Sequence, residues 1–151
     1  MNNIQLIATD LDGTFLRNDR TVSTANIEAL CKLGENKIVR VAATGRNLRK
    51  VKEVIRKEIP FDYIVYSSGA GIYNWKEKKQ ISRQNIHPES AERLTRYFLD
   101  RDISFYAFHP APENHNLWYH KGKQECEEFN RYLAIHHSYV QPFPEKRRRK
   151  N

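Results

Sequence analysis

Two aspartates, Asp10 and Asp12, stand two positions apart directly after a short apolar run, residues 4–9. Residues at i and i+2 of a strand point to the same side, so both carboxylates would lie together where that strand ends. Two adjacent negative charges repel each other unless a cation binds them, and oxygen ligands favour a hard divalent ion such as Mg²⁺. Asp10 could then attack phosphorus to form an aspartyl-phosphate, while Asp12 donates and later accepts a proton. Taken alone, the Asp-x-Asp-Gly sequence is also an ordinary turn.

The elements around this pair predict a parallel sheet. Apolar runs at 4–9, 38–43 and 63–66 read as strands, and amphipathic segments at 24–34 and 47–58 read as the helices between them. Alternating strands and helices are typical of an α/β fold with crossover connections, in which ligands bind beyond the carboxyl ends of the strands. Three polar stretches fall there, at 10–14, 44–46 and 67–69. Thr44 and Gly45 precede a helix N-terminus, where a hydroxyl and free backbone N–H groups suit a phosphate.

The rest of the chain has a different character. Residues 72–82 suggest a hairpin, and a helix at 88–101, strands at 103–109 and 116–120, and a helix at 123–135 suggest the start of a second α/β module. A basic block at 146–150 supplies five of the eight net positive charges. A solvated terminal tail explains this block more simply than nucleic-acid binding, because no aromatic or glycine-rich pattern accompanies it.

The composition limits the classes of protein to which the chain could belong. The chain has 151 residues, 39% of them apolar, and no apolar stretch approaches the length of a membrane span. We see no signal peptide, and two cysteines far apart do not make a disulfide framework, so we expect a cytoplasmic protein.

Three motifs together resemble the haloacid dehalogenase-like (HAD) superfamily, in particular its Cof-type phosphatase branch. Residues 7–14, Ile-Ala-Thr-Asp-Leu-Asp-Gly-Thr, are similar to the first motif of that superfamily. Residues 41–46, Val-Ala-Ala-Thr-Gly-Arg, are similar to the second motif as the branch has it, and residues 63–70 resemble its third strand and the turn that follows, with Ser68 where the branch usually has Asn.

The resemblance implies a Rossmann-like HAD core, here its first three strands, followed by the beginning of an inserted α/β cap. We place the core at 1–81, the partial cap at 82–144 and the basic tail at 145–151. It further implies a Mg²⁺-dependent phosphatase of small, sugar phosphate-like metabolites. Asp10 would be the nucleophile and Asp12 the acid/base, and both would hold Mg²⁺, Asp12 through its backbone carbonyl. Thr44 would bind the phosphoryl group, and Gly45 and Arg46 would line the site near the cap.

The family's later lysine and its later acidic motif, which complete the charge balance and the Mg²⁺ site, have no counterpart in these residues. We therefore expect a chain truncated within the cap, with impaired turnover, and an open edge beside the first strand through which copies could associate. A phosphomutase of the same superfamily and a non-catalytic phosphate-binding remnant are the alternatives. We expect neither a membrane partner nor a nucleic-acid partner.

Overall fold

The computed structural model describes residues 4–124 and 126–144. They form two compact units that divide between Gln84 and Asn85. The division falls a few residues beyond the expected boundary at 81, because the last strand of the first sheet continues to Arg83. The predicted basic tail lies outside the described residues.

The first unit is built on a five-stranded sheet. Strands β1 (Leu6–Thr9), β2 (Val39–Ala43) and β3 (Tyr63–Tyr66) are parallel, as the alternating pattern predicts. Strands β4 (Gly71–Asn74) and β5 (Lys79–Arg83) form the antiparallel hairpin that follows. The spatial order is β1-β2-β3-β4-β5, so β1 is an edge strand of the sheet formed by the described residues.

Two helices connect the parallel strands. Helix α1 (Thr24–Glu35) begins where the hydroxyl of Ser23 accepts a hydrogen bond from the backbone N–H of Asn26, which satisfies one of the free N–H groups of the first turn. Helix α2 (Leu48–Val54) is capped in the same way by the side chain of Asn47.

Helix α2 ends earlier than expected. The sequence predicts a helix to residue 58, but Ile55 is already extended, with φ −98° and ψ 107°. Ile55, Ile59 and Phe61 are all buried in the segment that follows. In a continued helix Ile55 and Ile59 would share one face and Phe61 would point away from it, whereas the irregular backbone buries all three.

The second unit is smaller and rich in aromatic contacts. It contains α3 (Pro88–Asp100), β6 (Phe105–Phe108), β7 (Leu117–His120), α4 (Glu127–Ile135) and β8 (Val140–Pro142), with sheet order β6-β7-β8. The ring of Tyr106 stacks on that of Phe129, with centroids 4.5 Å apart, and this contact joins β6 to α4. The sequence did not predict β8, which is three residues long and pairs in parallel with β7.

Among the described residues, no helix combines the length and the apolar content that crossing a membrane requires.

Candidate active site

The ends of the three parallel strands meet at one edge of the sheet. Thr9 is paired with Ala42, and Ala43 with Val65, so the chain leaves β1, β2 and β3 at neighbouring positions. Asp10, Thr44 and Ser67 are the first residues beyond these strands. The polar stretches that the sequence placed beyond the strand ends therefore lie at a common edge, where parallel sheets bind their ligands.

A compact turn presents the two aspartates. Leu11 between them is fully buried, and its carbonyl accepts a hydrogen bond from the N–H of Leu16 at 2.8 Å. Gly13 has φ +72°, a left-handed conformation that glycine adopts without strain. With Leu11 anchored in the core, Asp10 and Asp12 remain exposed, and the side chain of Asp12 is 52% accessible to solvent. The turn thus fixes the backbone and leaves both carboxylates open to solvent.

Asp12 is held by Arg46. The guanidinium donates two hydrogen bonds to the carboxylate, from Nε to Oδ2 at 2.7 Å and from Nη2 to Oδ1 at 2.5 Å. These hydrogen bonds, together with the nearby charges of Arg46 and Arg20, lower the pKa of Asp12 from its ordinary value although partial burial opposes the shift. The pKa of Arg46 is raised by the same pair of hydrogen bonds. Both side chains are therefore charged at neutral pH, and Asp12 carries no proton to donate.

Thr44 and Gly45 form a turn that is tied to the end of the neighbouring strand. The Thr44 hydroxyl accepts a hydrogen bond from the N–H of Arg46 at 3.1 Å, and the Thr44 carbonyl accepts one from the N–H of Ser68 at 3.1 Å. Thr44 is 6% exposed, whereas Gly45 is exposed, and a Cβ on Gly45 would lie 3.6 Å from the Ser68 Oγ. These contacts hold the turn in place, so the position of the Arg46 backbone relative to β3 is fixed.

The turn after β3 has an unusual backbone. Ser67, Ser68 and Gly69 all have positive φ angles, 49°, 53° and 97°. A left-handed conformation costs a non-glycine residue about 1–2 kcal/mol, and here it is maintained by hydrogen bonds from the N–H groups of Ser67 and Ser68 to the carbonyls of Arg46 and Thr44. The strained turn therefore closes the edge of the site next to Gly45.

The structure brings Asp12 and Arg46 into contact and places Thr44 and Gly45 in the same turn as Arg46. Asp10 lies at the adjoining strand end. The sequence did not predict the pair between Arg46 and Asp12, since Arg46 was expected to line the site near the cap. The sequence did contain one indication of this pair, because both residues lie just beyond the ends of predicted neighbouring strands. What each of these residues does in a reaction stays a prediction.

The donor atoms suit a hard cation. The carboxylate of Asp10 and the backbone carbonyl of Asp12 supply oxygen, and Mg²⁺ commonly binds proteins through only one or two carboxylates while water and substrate phosphate complete its shell. Within residues 4–124 and 126–144, no group of three or more histidine, cysteine, aspartate or glutamate side chains converges as a metal site. These oxygen atoms are the type of ligand that Mg²⁺ prefers, and the described residues provide only a few of them.

Fold and site together define an α/β protein with a Rossmann-like core whose strand ends carry paired aspartates and a Thr-Gly-Arg turn. A family model described as haloacid dehalogenase-like hydrolase matches residues 7–150. The chain belongs to this family of hydrolases.

One curated protein and two solved structures are similar to this chain. The chain is 26% identical over 139 residues to an HMP-PP phosphatase of Klebsiella pneumoniae. The aligned segment covers 91% of the chain and 49% of the relative. It is similar in fold to the HAD phosphatase BT1666 of Bacteroides thetaiotaomicron, with a TM-score of 0.69, 21% identity, and coverage of 94% and 50% of the two chains. For TM0651 of Thermotoga maritima the TM-score is 0.62, the identity 24% and the coverage 93% and 49%. The chain thus spans about half the length of these relatives.

Proposed function

We propose that this chain carries the nucleophile half of a phosphatase site for small phosphorylated metabolites. The observation that carries the proposal is the meeting of the ends of β1, β2 and β3, which gathers Asp10, Asp12 and the Thr44–Arg46 turn at one edge. The substrate class is supported by the relative from Klebsiella pneumoniae and by a fold neighbour described as the sugar phosphatase BT4131, with a TM-score of 0.56 and 19% identity.

The proposed reaction has two steps. In the first, a carboxylate oxygen of Asp10 attacks phosphorus, the bond from phosphorus to the substrate oxygen breaks, and Asp12 gives its proton to the leaving alkoxide. In the second, water attacks the aspartyl-phosphate, Asp12 takes the proton of that water, and inorganic phosphate leaves with Asp10 restored. The Thr44 hydroxyl and the N–H groups of the turn beside Gly45 would hydrogen-bond the phosphoryl oxygens.

We propose Mg²⁺ as the cofactor, held by the Asp10 carboxylate and the Asp12 backbone carbonyl. When bound, the ion would neutralise negative charge on the phosphoryl group and on the nucleophile. The cytoplasmic location proposed from the sequence agrees with Cys31 and Cys126, which are free and exposed.

Asp12 is not ready to act as an acid in the structure described here. Its carboxylate is unprotonated at neutral pH even at the ordinary pKa of 3.8, and two hydrogen bonds from Arg46 lower that pKa further. Release from Arg46 would return the pKa of Asp12 only toward 3.8, so the negative charge of a bound phosphate would also have to raise it before Asp12 could carry a proton. This pairing favours the second candidate function, a phosphate-binding remnant with weak or no turnover. The phosphomutase alternative remains a prediction.

We also propose that β1 pairs with a further strand. It lies at the edge of the sheet, and Leu6 and Ile4 beside that edge are 54% and 64% exposed. Unpaired strand N–H and C=O groups next to exposed apolar side chains are a template for another strand. In isolation, two copies of this chain would associate through this edge.

Hydrolysis of p-nitrophenyl phosphate, measured with and without Mg²⁺, tests the catalytic proposal. The chain should release p-nitrophenol faster with Mg²⁺ than without, and Asp10→Asn should abolish the difference because an amide cannot form the acyl-phosphate. Asp100→Asn, an exposed residue at the end of α3, is the matched control and should keep full activity.

Equal rates for the chain and for Asp10→Asn would refute catalysis by this chain. Binding of inorganic phosphate should then decide between the remaining possibilities. Phosphate binding that is weakened by Thr44→Val would support the phosphate-binding remnant, and no detectable binding would refute both functions.

A further inference from the structure

A groove lies at the opposite end of the same strands. It has a volume of about 870 Å³ and is bordered by the start of β2, the end of α2 with the segment that follows it, and the turn between β4 and β5. Arg40 and Asp62 lie at the entry to β2 and β3, whereas the aspartate pair lies beyond the strand exits. The groove is therefore separated from the candidate active site by the length of the strands.

The floor of the groove is apolar and partly aromatic. Four of the buried side chains that line it are Ile55, Phe61, Tyr73 and Trp75. Trp75 is 8% exposed, and its indole Nε1–H is buried without a hydrogen-bond acceptor among the described residues. A buried donor without an acceptor is unfavourable, so the wall of the groove contains one unsatisfied polar group.

The rim of the groove is strongly basic. Of the described lining residues, six are basic and two are acidic. Arg40 and Asp62 neutralise each other through hydrogen bonds of 2.9 and 2.8 Å. Five basic side chains then face a single Glu58, and these are Lys52, Arg56, Lys57, Lys76 and Lys78. An excess of one sign of charge around a cleft concentrates ligands of the opposite sign.

The walls are held in place by the fold. The carbonyl of Asp62 accepts a hydrogen bond from the N–H of Trp75 at 2.9 Å, and the N–H of Asp62 donates to the carbonyl of Arg40 at 2.9 Å. The ammonium group of Lys52 lies 5.1 Å from the centroid of the Tyr73 ring, a cation–π arrangement that positions one part of the rim. The groove therefore exists before any ligand binds, which lowers the entropic cost of binding.

We propose that this groove binds a nucleoside polyphosphate. Its volume lies within the range of about 300–1,000 Å³ that small-molecule sites occupy. The apolar floor suits an uncharged nucleobase, which would gain van der Waals contacts with the side chains that line it. The basic rim suits the phosphate chain, to which lysine and arginine bind as cations. The site is distinct from the proposed phosphatase centre, and the ligand would bind there without being hydrolysed.

Isothermal titration calorimetry with ATP in the presence of EDTA tests the proposal on the 151-residue chain. We expect saturable binding with a Kd below about 1 mM. The double variant Lys76→Gln/Lys78→Gln should weaken it by about tenfold, since two cationic contacts are lost. The matched control Lys32→Gln/Lys121→Gln removes the same charge from exposed positions outside the groove and should leave the Kd unchanged.

Two further titrations check the two parts of the ligand. Adenosine and inorganic triphosphate should each bind more weakly than ATP, because each engages only the floor or only the rim. Triphosphate that binds as tightly as ATP would overturn the role of the apolar floor.

Equal weakening by both lysine double variants would show a general charge effect and overturn the site. ATP binding that is lost in Arg46→Met and kept in Lys76→Gln/Lys78→Gln would place ATP at the strand exits and would also overturn the proposed groove site. The absence of detectable ATP binding to the unmodified chain would likewise overturn the proposal.

Discussion

Replacing Arg46 with methionine would remove the guanidinium that holds Asp12 and keep an apolar side chain of similar length. The carboxylate would lose both hydrogen bonds, at 2.7 and 2.5 Å, and its nearest positive charge. The pKa of Asp12 should therefore rise toward its ordinary value of 3.8, and Arg20 would remain as a weaker, more distant influence.

The magnitude follows from the exposure of the pair. Asp12 is 52% exposed and Arg46 is 19% exposed, so water screens their attraction considerably. We expect about 0.5–1 kcal/mol, the upper part of the range for surface pairs, because the contact is bidentate. The loss of this attraction should raise the pKa of Asp12 in Arg46→Met.

The sign of the pH dependence follows from the lowered pKa of Asp12. The pair stabilises the folded chain fully above the ordinary carboxyl pKa of 3.8, and this contribution disappears as the pH falls through the lower pKa of the folded state. At pH near 7, Arg46→Met should lower the free energy of unfolding by about 0.5–1 kcal/mol. The difference from the unmodified chain should shrink once the pH falls below 3.8.

Two measurements check this prediction. Carbon-13 NMR titration of the Asp12 carboxyl group reports its pKa directly, and urea unfolding of a double-mutant cycle with Asp12→Asn reports the coupling energy. Arg49→Met, which removes a guanidinium from the adjacent helix, serves as the control and should leave the Asp12 pKa unchanged. An unchanged pKa in Arg46→Met, together with zero coupling in the cycle, would refute the pairing of Asp12 with Arg46 in solution.

Three further changes test other parts of the first unit. Asp62→Ala should destabilise the chain by about 2 kcal/mol in urea unfolding, because it leaves the partly buried guanidinium of Arg40 without its carboxylate acceptor. Gly71→Ala should cost about 1–3 kcal/mol in the same assay, since the added Cβ would collide with the ring of the fully buried Tyr66. Leu6→Lys should reduce concentration-dependent association in sedimentation velocity, because a lysine on an edge strand discourages pairing with another strand.

Each of these changes has a matched control. Glu53→Ala removes a more exposed carboxylate and should cost less than Asp62→Ala; equal costs would contradict the importance of the Arg40 pair. Gly45→Ala places its Cβ 3.6 Å from the nearest atom and should be nearly neutral, so a loss as large as that of Gly71→Ala would rule out the steric explanation. Ala29→Lys adds the same charge on the exposed side of α1, and if it reduces association as much as Leu6→Lys does, charge alone accounts for the effect.

The parallel strands of the first unit could be predicted because their signals are local. An apolar run followed by Asp-x-Asp-Gly, and a second run followed by Thr-Gly-Arg, mark where β1 and β2 end without knowledge of any distant residue. The side-chain cap at Ser23 also lies within three residues of the N–H group that it accepts from. Features of this kind are written in adjacent positions of the sequence, and the structure agrees with them.

The features that the sequence did not reveal depend on residues far apart in the chain. Arg46 contacts Asp12 only because β1 and β2 are neighbours in register, and β8 is recognisable only through its pairing with β7. The early end of α2 is similar, since Ile55 leaves the helix to be buried together with residues that follow it. Periodicity within one segment carries no information on such contacts, so these details required the three-dimensional structure.

The order of strands in the first sheet also bears on how the chain folds during synthesis. Each strand from β2 to β5 pairs with the strand that immediately precedes it in the chain. Every new strand emerging from the ribosome would therefore find its partner already present, and the sheet could grow in one direction without waiting for residues made later. Such stepwise growth favours fast folding, and it leaves β1, the strand made first, with a free side that no later strand of the described residues covers.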